Sequence, residues 1–376
     1  MISIWEKETF YAPQDVIIIG SGFVGLWSAL FLKKRNPQLK VTLLERGLIP
    51  TGASSRNAGF ACFGSLSELV ADAKNMGTEK MLQLVKMRFK GLKRIQKYFP
   101  KQAIDFELCG GYELYDHAFR TDQLAEDINY LNSLLKPVVK AKKTFRLVDE
   151  KIAAFGFGNT LHMVKNEWEG YLHSGKLLQV LLKTVAAMGV QVFTSIEVKE
   201  ILQQGSRIAL QTKAGPDFSA AQVLLCTNAF TRELIPDIDI VPARGQVVLT
   251  SPIDGLPWNG TFHSDEGFFY FRNLGNRVLL GGARNKAFED ERTTEMITSE
   301  FIQHHLQQYL DEVILPAFRG QYTVEHRWAG IMAMGSEKMP IVQQLQNNVF
   351  CAVRMSGMGV ALAPVVGEEV ARLMQG

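Results

Sequence analysis

A chain of 376 residues, 47% hydrophobic and 21% charged, can bury a large core, so extensive disorder is excluded and two domains are expected. Its formal net charge of +3 comes from lysines and arginines scattered in short pairs rather than in a run, which leaves no nucleic-acid footprint. The four cysteines, Cys62, Cys109, Cys226 and Cys351, are far apart and form no C-x-x-C pair, so the pattern points to no metal site and to buried free thiols.

Residues 1–14 lack the charged-then-apolar layout of a signal peptide. No uncharged apolar run reaches the roughly 18 residues of a membrane span, and the expectation is a cytoplasmic chain. Residues 16–19 form a short β-branched apolar run that reads as a buried parallel strand. Gly20-Ser21-Gly22-Phe23-Val24-Gly25 follows at once, a helix is predicted over 26–35, and a second strand over 41–44 ends in Glu45. Gly22 lets backbone approach a pyrophosphate, the helix N-terminus offers free N–H groups, and the acid can hold ribose hydroxyls. Strand, glycines, helix, strand and acid in that order predict a bound dinucleotide.

Further along, apolar spacing predicts a helix over 78–99, a strand–Gly–Gly–strand pattern over 106–114, and helices over 122–135 and 170–189. Strands are expected over 190–193, 196–201, 223–225, 245–250, 267–271 and 278–281, then a polar helix over 298–311. A last strand over 348–353 runs into a second glycine turn, Gly357-Met358-Gly359, that opens an apolar helix. The first strand needs partners supplied much later, so the dinucleotide domain is expected to be discontinuous: 1–66, about 150–228, and 325–376. The inserted pieces, 67–149 and 229–324, are expected to form an antiparallel sheet with flanking helices that roofs the cofactor.

With IGSGFVGLWSALFL, LLERG, GASSRNAGF, VLLCTNAF, PARGQVVLT, HRWAGIMAMGSEKMPIV and RMSGMGVALAPVVG in this order, the chain resembles the D-amino-acid oxidase superfamily of FAD-dependent amine and amino-acid oxidoreductases over nearly its whole length. That group includes glycine oxidase, sarcosine oxidase and γ-glutamylputrescine oxidase, and the GASSRNAG loop is most like the last type. The resemblance implies an α/β fold: a discontinuous Rossmann-like FAD-binding domain with an inserted antiparallel-sheet α+β substrate domain.

It also implies roles. Gly20, Ser21, Gly22, Phe23, Val24 and Gly25 would face the pyrophosphate, Glu45 the adenosine ribose and Arg46 the adenine. Ser54, Ser55, Arg56, Asn57, Ala58 and Gly59 would wrap the ribityl chain and one flavin edge. Val198 would lie in the strand that meets adenine, and Thr227 and Asn228 would line the chain crossing. Gly357, Met358, Gly359 and Val360 would present N–H groups to the flavin N1–C2=O region. The implied reaction passes hydride from the carbon bearing an amine to flavin N5, and the imine formed hydrolyses. The expected partners are a small amine substrate and O2 or another electron acceptor.

Three departures from the family pattern bear on substrate and cofactor. The arginines that clamp a substrate carboxylate in glycine oxidase are replaced by Met332 and Gly357. Arg244, Arg272 or Arg354 could substitute, although Arg272 is equally open to a structural role. An apolar pocket with Tyr270, Arg272 and Met332 is expected, suited to a larger amine. Gly330 stands where sarcosine-oxidase relatives link flavin to cysteine, so FAD should be non-covalent. Leu279 stands where those relatives carry an oxygen-assisting lysine, which leaves a dehydrogenase open. His162, His173, His263 and His326 read as surface or hydrogen-bonded residues. Two rivals remain: a dehydrogenase for an aminomethyl-modified tRNA base, and a non-catalytic flavin-binding assembly protein.

Overall fold

Gln14–Ile19, almost wholly buried, is the central strand of a parallel sheet, because a strand covered on both faces must be apolar at successive positions. In the computed structural model, which describes residues 1–116 and 121–376, the chain divides into two units. The first comprises Met1–Ser55, Ser174–Ala243 and Met332–Gly376; the second comprises Arg56–His173 and Arg244–Ile331.

In the first unit, Gln14–Ile19 pairs in parallel with Val41–Leu44 on one side and Phe218–Leu225 on the other. Gln191–Phe193 and Val349–Val353 extend this parallel set, and Ile341–Gln346 adds an antiparallel edge. A hairpin of Val198–Gln204 and Arg207–Thr212 joins through Phe218–Leu225. Helix Phe23–Arg35 packs against helix Gly359–Leu373, where a Cβ on Gly367 would come within 2.8 Å of the Ser28 amide. Only glycine allows that approach.

Among the described residues, the second unit carries an eight-stranded sheet. Its order is Val324–Met334, Val241–Thr250, Arg277–Gly282, Phe269–Leu274, Thr261–Ser264, Gly111–Tyr115, His162–Asn166, Phe145–Leu147. From Val241–Thr250 onward it is antiparallel except where Thr261–Ser264 runs parallel to Gly111–Tyr115. Period-two alternation sorts its side chains. Phe262, Phe271, Val278 and Leu280 point to one face, where Ile302 and Leu306 of helix Glu300–Tyr309 complete a buried cluster. The Phe262 and Phe271 rings stack there with centroids 4.7 Å apart. Tyr270, Arg272, Leu279 and Gly281 point to the opposite face.

Several elements differ from expectation. Residues 106–110 are not a strand: Glu107 makes a single bridge to Tyr171, and the left-handed Gly110 (φ 94°) breaks the run before Gly111–Tyr115 begins. The helix expected over 170–189 starts at Ser174, because Gly170–Tyr171 is held as a strand against Phe60–Ala61 and the His173 amide donates to Ile104. The strand expected from 267 begins at Phe269, since Asp265, Glu266 and Gly267 all take positive φ in the turn before it. The helix expected over 298–311 gives way after Tyr309 to a π-helical turn, Leu310–Ile314.

Candidate functional site

The glycine turn of the first unit is shaped by close backbone approach. Gly20 has φ 103°, and a Cβ there would lie 2.8 Å from the Cys226 carbonyl oxygen. A Cβ on Gly25 would overlap the Gly20 carbonyl, and one on Gly22 would come 2.9 Å from Ser54 Oγ. Gly22 caps the helix without a side-chain bond, while Ser54 Oγ accepts from the Phe23 amide at 2.9 Å. A groove floored by glycine and backed by a helix N-terminus carries positive potential and little bulk, as a pyrophosphate requires.

Glu45, only 8% exposed, ends its strand beneath this turn. One carboxylate oxygen accepts from the Ser21 amide (3.1 Å) and hydroxyl (2.9 Å), and the other from the Gly47 amide (2.9 Å). The acid is therefore oriented before any ligand arrives. Backbone bonds from Ile196 to Glu45 (2.9 Å) and from Ser195 to Gly47 (3.0 Å) bring the segment leading into Val198 beside it. Arg46 stacks its guanidinium 3.7 Å from the Phe230 ring centroid and lies 3.5 Å from Glu233. Ser55 donates to Pro50 (2.6 Å), and Thr227 Oγ1 shares a hydrogen bond with Thr231.

The second glycine turn has the same character. Arg354, Ser356 and Gly357 all have positive φ, and Met358 begins helix Gly359–Leu373 without a side-chain cap. Met332 Sδ lies 3.4 Å from where a Gly357 Cβ would stand. Buried polar atoms in a folded protein are normally paired. Asn228 Oδ1 and Ser356 Oγ have no partner among the described residues. Both are free to bond a ligand, and the residues of this unit fit a dinucleotide. Ser356 escaped the sequence reading, and its one signal was a hydroxyl immediately before Gly357.

In the second unit, the loop 56–59 is pinned to the sheet. Trp328 Nε1 donates to the Arg56 carbonyl (2.9 Å), and Arg56 donates to the Ala329 carbonyl (2.9 Å). Asn57 Oδ1 accepts from the Gly59 amide at 2.8 Å, and a Cβ on Gly330 would press on Arg56 at 2.9 Å. Arg272 is buried: it donates to the Ala58 carbonyl (2.7 Å) and stacks over the Tyr171 ring at 4.6 Å. Of its two open roles, these contacts give it the bracing one.

The other arginine candidates are engaged too. Arg244 forms a buried two-point pair with Glu291 (2.8 and 2.7 Å), and Arg354 pairs with Asp239 and donates to the Met339 carbonyl (2.9 Å).

Ala58, Val247, Leu249 and Leu279 form a small apolar cluster on the loop-bearing face, with Phe60, Tyr270 and Trp328 against it. His263 stands directly across from Tyr270 in the strand pairing, 5.0 Å from the Phe60 ring. Burial pulls its pKa down to about 4 and pushes the Tyr270 phenol up to about 12, so both are neutral at pH 7. Neither has a hydrogen-bond partner among the described residues. His263 is thus half-buried, and its imidazole has no hydrogen bond among the described residues, unlike the surface or hydrogen-bonded histidine expected. His162, by contrast, is bonded to Asp149 (2.7 Å) and Thr121 (2.9 Å). Met332 falls in the other unit from Tyr270 and Arg272.

The thiols are inert in character: burial pushes Cys351 up to about 11 and Cys109 up to about 12. Among the described residues no helix is long and apolar enough to cross a membrane.

The model of the FAD dependent oxidoreductase family (DAO) matches residues 15–373. A protein named "Probable oxidoreductase OrdL" from Rhizobium meliloti (strain 1021) is 24% identical over 372 residues, covering 96% of this chain and 83% of that one. The glycine oxidase structure from Geobacillus kaustophilus superposes with a TM-score of 0.77 at 20% identity, covering 96% of this chain and 95% of that one. The L-proline dehydrogenase structure from P.horikoshii gives 0.76 at 21% identity, covering 96% and 93%. The chain belongs to the FAD-dependent oxidoreductase family, and FAD is its cofactor.

Proposed function

We propose that this oxidoreductase oxidises the C–N bond of a small amine or amino acid to an imine, which water then hydrolyses. Supporting it are the family and the names of structural relatives, glycine oxidase and L-proline dehydrogenase. The observation that carries it is the sheet face on which Tyr270 and His263, both neutral and unpartnered, stand beside Phe60 and Trp328. Bound FAD supplies the two-electron acceptor. Residues Gly20–Gly25, Glu45, Ser54, Asn228 and Ser356 are those we assign to its nucleotide and phosphate groups, and Gly357–Val360 to its ring system.

The chain's own part is binding, orientation and exclusion of water. An amine gives up hydride only as the free base, and an apolar wall disfavours the ammonium form because a buried charge is poorly solvated. The Tyr270 hydroxyl can donate to the substrate, and the imidazole of His263 can accept its N–H. No nucleophile is needed.

Purified protein should show the absorbance bands of oxidised flavin, and an amine panel added without oxygen should bleach them. A fully flavin-loaded protein that no amine bleaches would overturn the reading. Leu279, buried in the apolar cluster where oxidase relatives carry a cation, favours an acceptor other than O2. Reoxidation should then run faster with an artificial acceptor than with air.

A further inference from the structure

Folding turns lysines that look scattered in the sequence into a row. Helix Thr78–Tyr98 buries Met81, Leu84, Val85, Leu92 and Ile95 on one side. From Lys86 onward every exposed position on it is a lysine: Lys86, Lys90, Lys93 and Lys97. Spaced four, three and four residues apart, they share one face over about 16 Å. Lys101, also exposed, follows just past the helix end. Glu79 is the one acid in the helix, and no acid stands three or four residues from any of the four lysines. Lys86 and Lys90, like Lys93 and Lys97, stand one turn apart, where like charges repel. A face that only meets water gains by mixing both signs. Among the described residues Lys86, Lys90, Lys97 and Lys101 form no ion pair and no side-chain hydrogen bond. Lys93 lies over the Phe89 and Trp168 rings, 5.3 and 5.4 Å from their centroids.

The helix is tied to the chain that leaves the loop 56–59, which is expected at the flavin edge. Its Phe89 ring meets Phe63 edge-on with centroids 5.5 Å apart, and Arg88 donates to the Phe63 carbonyl (3.2 Å). At the Lys101 end lies a cavity of about 430 Å³, lined in part by Lys101, Leu172 and Arg272 and by the acids Asp105 and Glu107. Glu107 already accepts from Tyr171 (2.5 Å) and Asn259 (2.7 Å). The cavity wall is bonded to the same loop: the Leu172 amide donates to the Gly59 carbonyl (2.8 Å) and Arg272 to that of Ala58 (2.7 Å).

A row of cations without acids calls for an anionic partner. The row is one lysine wide and offers no exposed aromatic ring to stack on bases. No large apolar side chain of the helix is exposed to enter a bilayer. We propose that this lysine stripe docks an acidic electron-carrier protein, which takes the electrons of the reduced flavin. The proposal rests on the reading of an acceptor other than O2 and names its chemistry. Two one-electron carriers, docking in turn, each accept one electron, and the two protons of the reduced cofactor pass to water. Opposite charges speed such encounters and orient them.

The test uses FAD-loaded wild type and two triple variants, Lys86→Gln/Lys90→Gln/Lys97→Gln and Lys86→Glu/Lys90→Glu/Lys97→Glu. The flavin is titrated to full reduction with dithionite, so no amine is needed. It is then mixed without oxygen with an acidic blue-copper protein or with a basic c-type cytochrome. At low salt wild type should reduce the acidic carrier at least about 10-fold faster than the glutamate variant does, with the glutamine variant between. The gap should close in about 0.5 M salt, and the basic carrier should show no such gain. Sedimentation of the oxidised proteins should show a complex of wild type with the acidic carrier that the glutamate variant loses. Melting temperature should hold or rise in the glutamine variant, since repulsion is relieved.

Equal transfer rates and equal sedimentation in all three proteins would overturn the proposal. Retention of wild type on immobilised single-stranded RNA, lost in the glutamate variant and without stripe-dependent transfer, would also overturn it and give the stripe to nucleic acid. Stripe-dependent transfer in a protein whose flavin is reoxidised faster by air than by any carrier would instead overturn the reading of an acceptor other than O2 and keep the docking face.

Discussion

Gly20 and Gly22 look alike in the sequence but do different work. Gly20 needs its positive φ and lies against the Cys226 carbonyl. Gly20→Ala should therefore destabilise the apoprotein by about 1–3 kcal/mol, read as a lower melting temperature. Gly22 has ordinary extended backbone (φ −70°, ψ −176°), so Gly22→Ala should fold. It should nevertheless lose FAD, because the added methyl would press on Ser54 Oγ and crowd the helix N-terminus that we assign to the phosphates. The ratio of flavin absorbance to protein absorbance checks this, and equal flavin content in both variants would contradict it. At this scale the glycine turn was legible in the sequence because its spacing is a local signature, whereas Ser54, expected on the ribityl chain, bonds the Phe23 amide 31 positions away. His263 was not, since what distinguishes it is an imidazole without a hydrogen bond among the described residues.

Among the elements, the loop 56–59 depends on Arg272. Removing that guanidinium leaves the Ala58 carbonyl buried without its donor, at about 1–3 kcal/mol. Arg272→Met should lower thermal stability and flavin retention together, whereas a residue acting only on substrate would change neither.

A second buried group fixes the chain just beyond. Glu169, 1% exposed, accepts from the Phe63 amide (2.8 Å) and the Gly64 amide (3.1 Å). Burial pushes its carboxyl up to about 8, against 4.5 when exposed. The folded state thus holds a proton that the unfolded chain releases above pH 4.5. Its stabilising effect is complete below that pH and is lost as pH rises through about 8. Chemical denaturation from pH 5 to 8 should show wild-type stability falling by up to about 1.4 kcal/mol per pH unit, with Glu169→Gln flatter. Parallel pH profiles would show that Glu169 is ionised when folded.

For the whole molecule, cofactor binding and folding are linked. FAD at about 100 times its Kd should stabilise the protein by about 2.7 kcal/mol, and melting temperature should rise with added FAD. With the non-covalent FAD expected from Gly330, denaturation should release all flavin into the supernatant and leave the polypeptide mass unchanged.

The dinucleotide turn, the parallel strands around it and the second glycine turn were determined by the sequence itself. Each is encoded by contiguous residues whose apolar period, glycine spacing and helix N-terminus work within one turn of chain. The ends of elements were less legible. At 106–110 and 170–173 a single bridge and a long-range strand pairing overrode local propensity. Only the tertiary structure decided which charges are already satisfied. Arg244, Arg272 and Arg354 meet their partners across 47, 214 and 115 positions of chain. An ion pair is a property of two residues brought together by folding, and no single stretch of sequence records it.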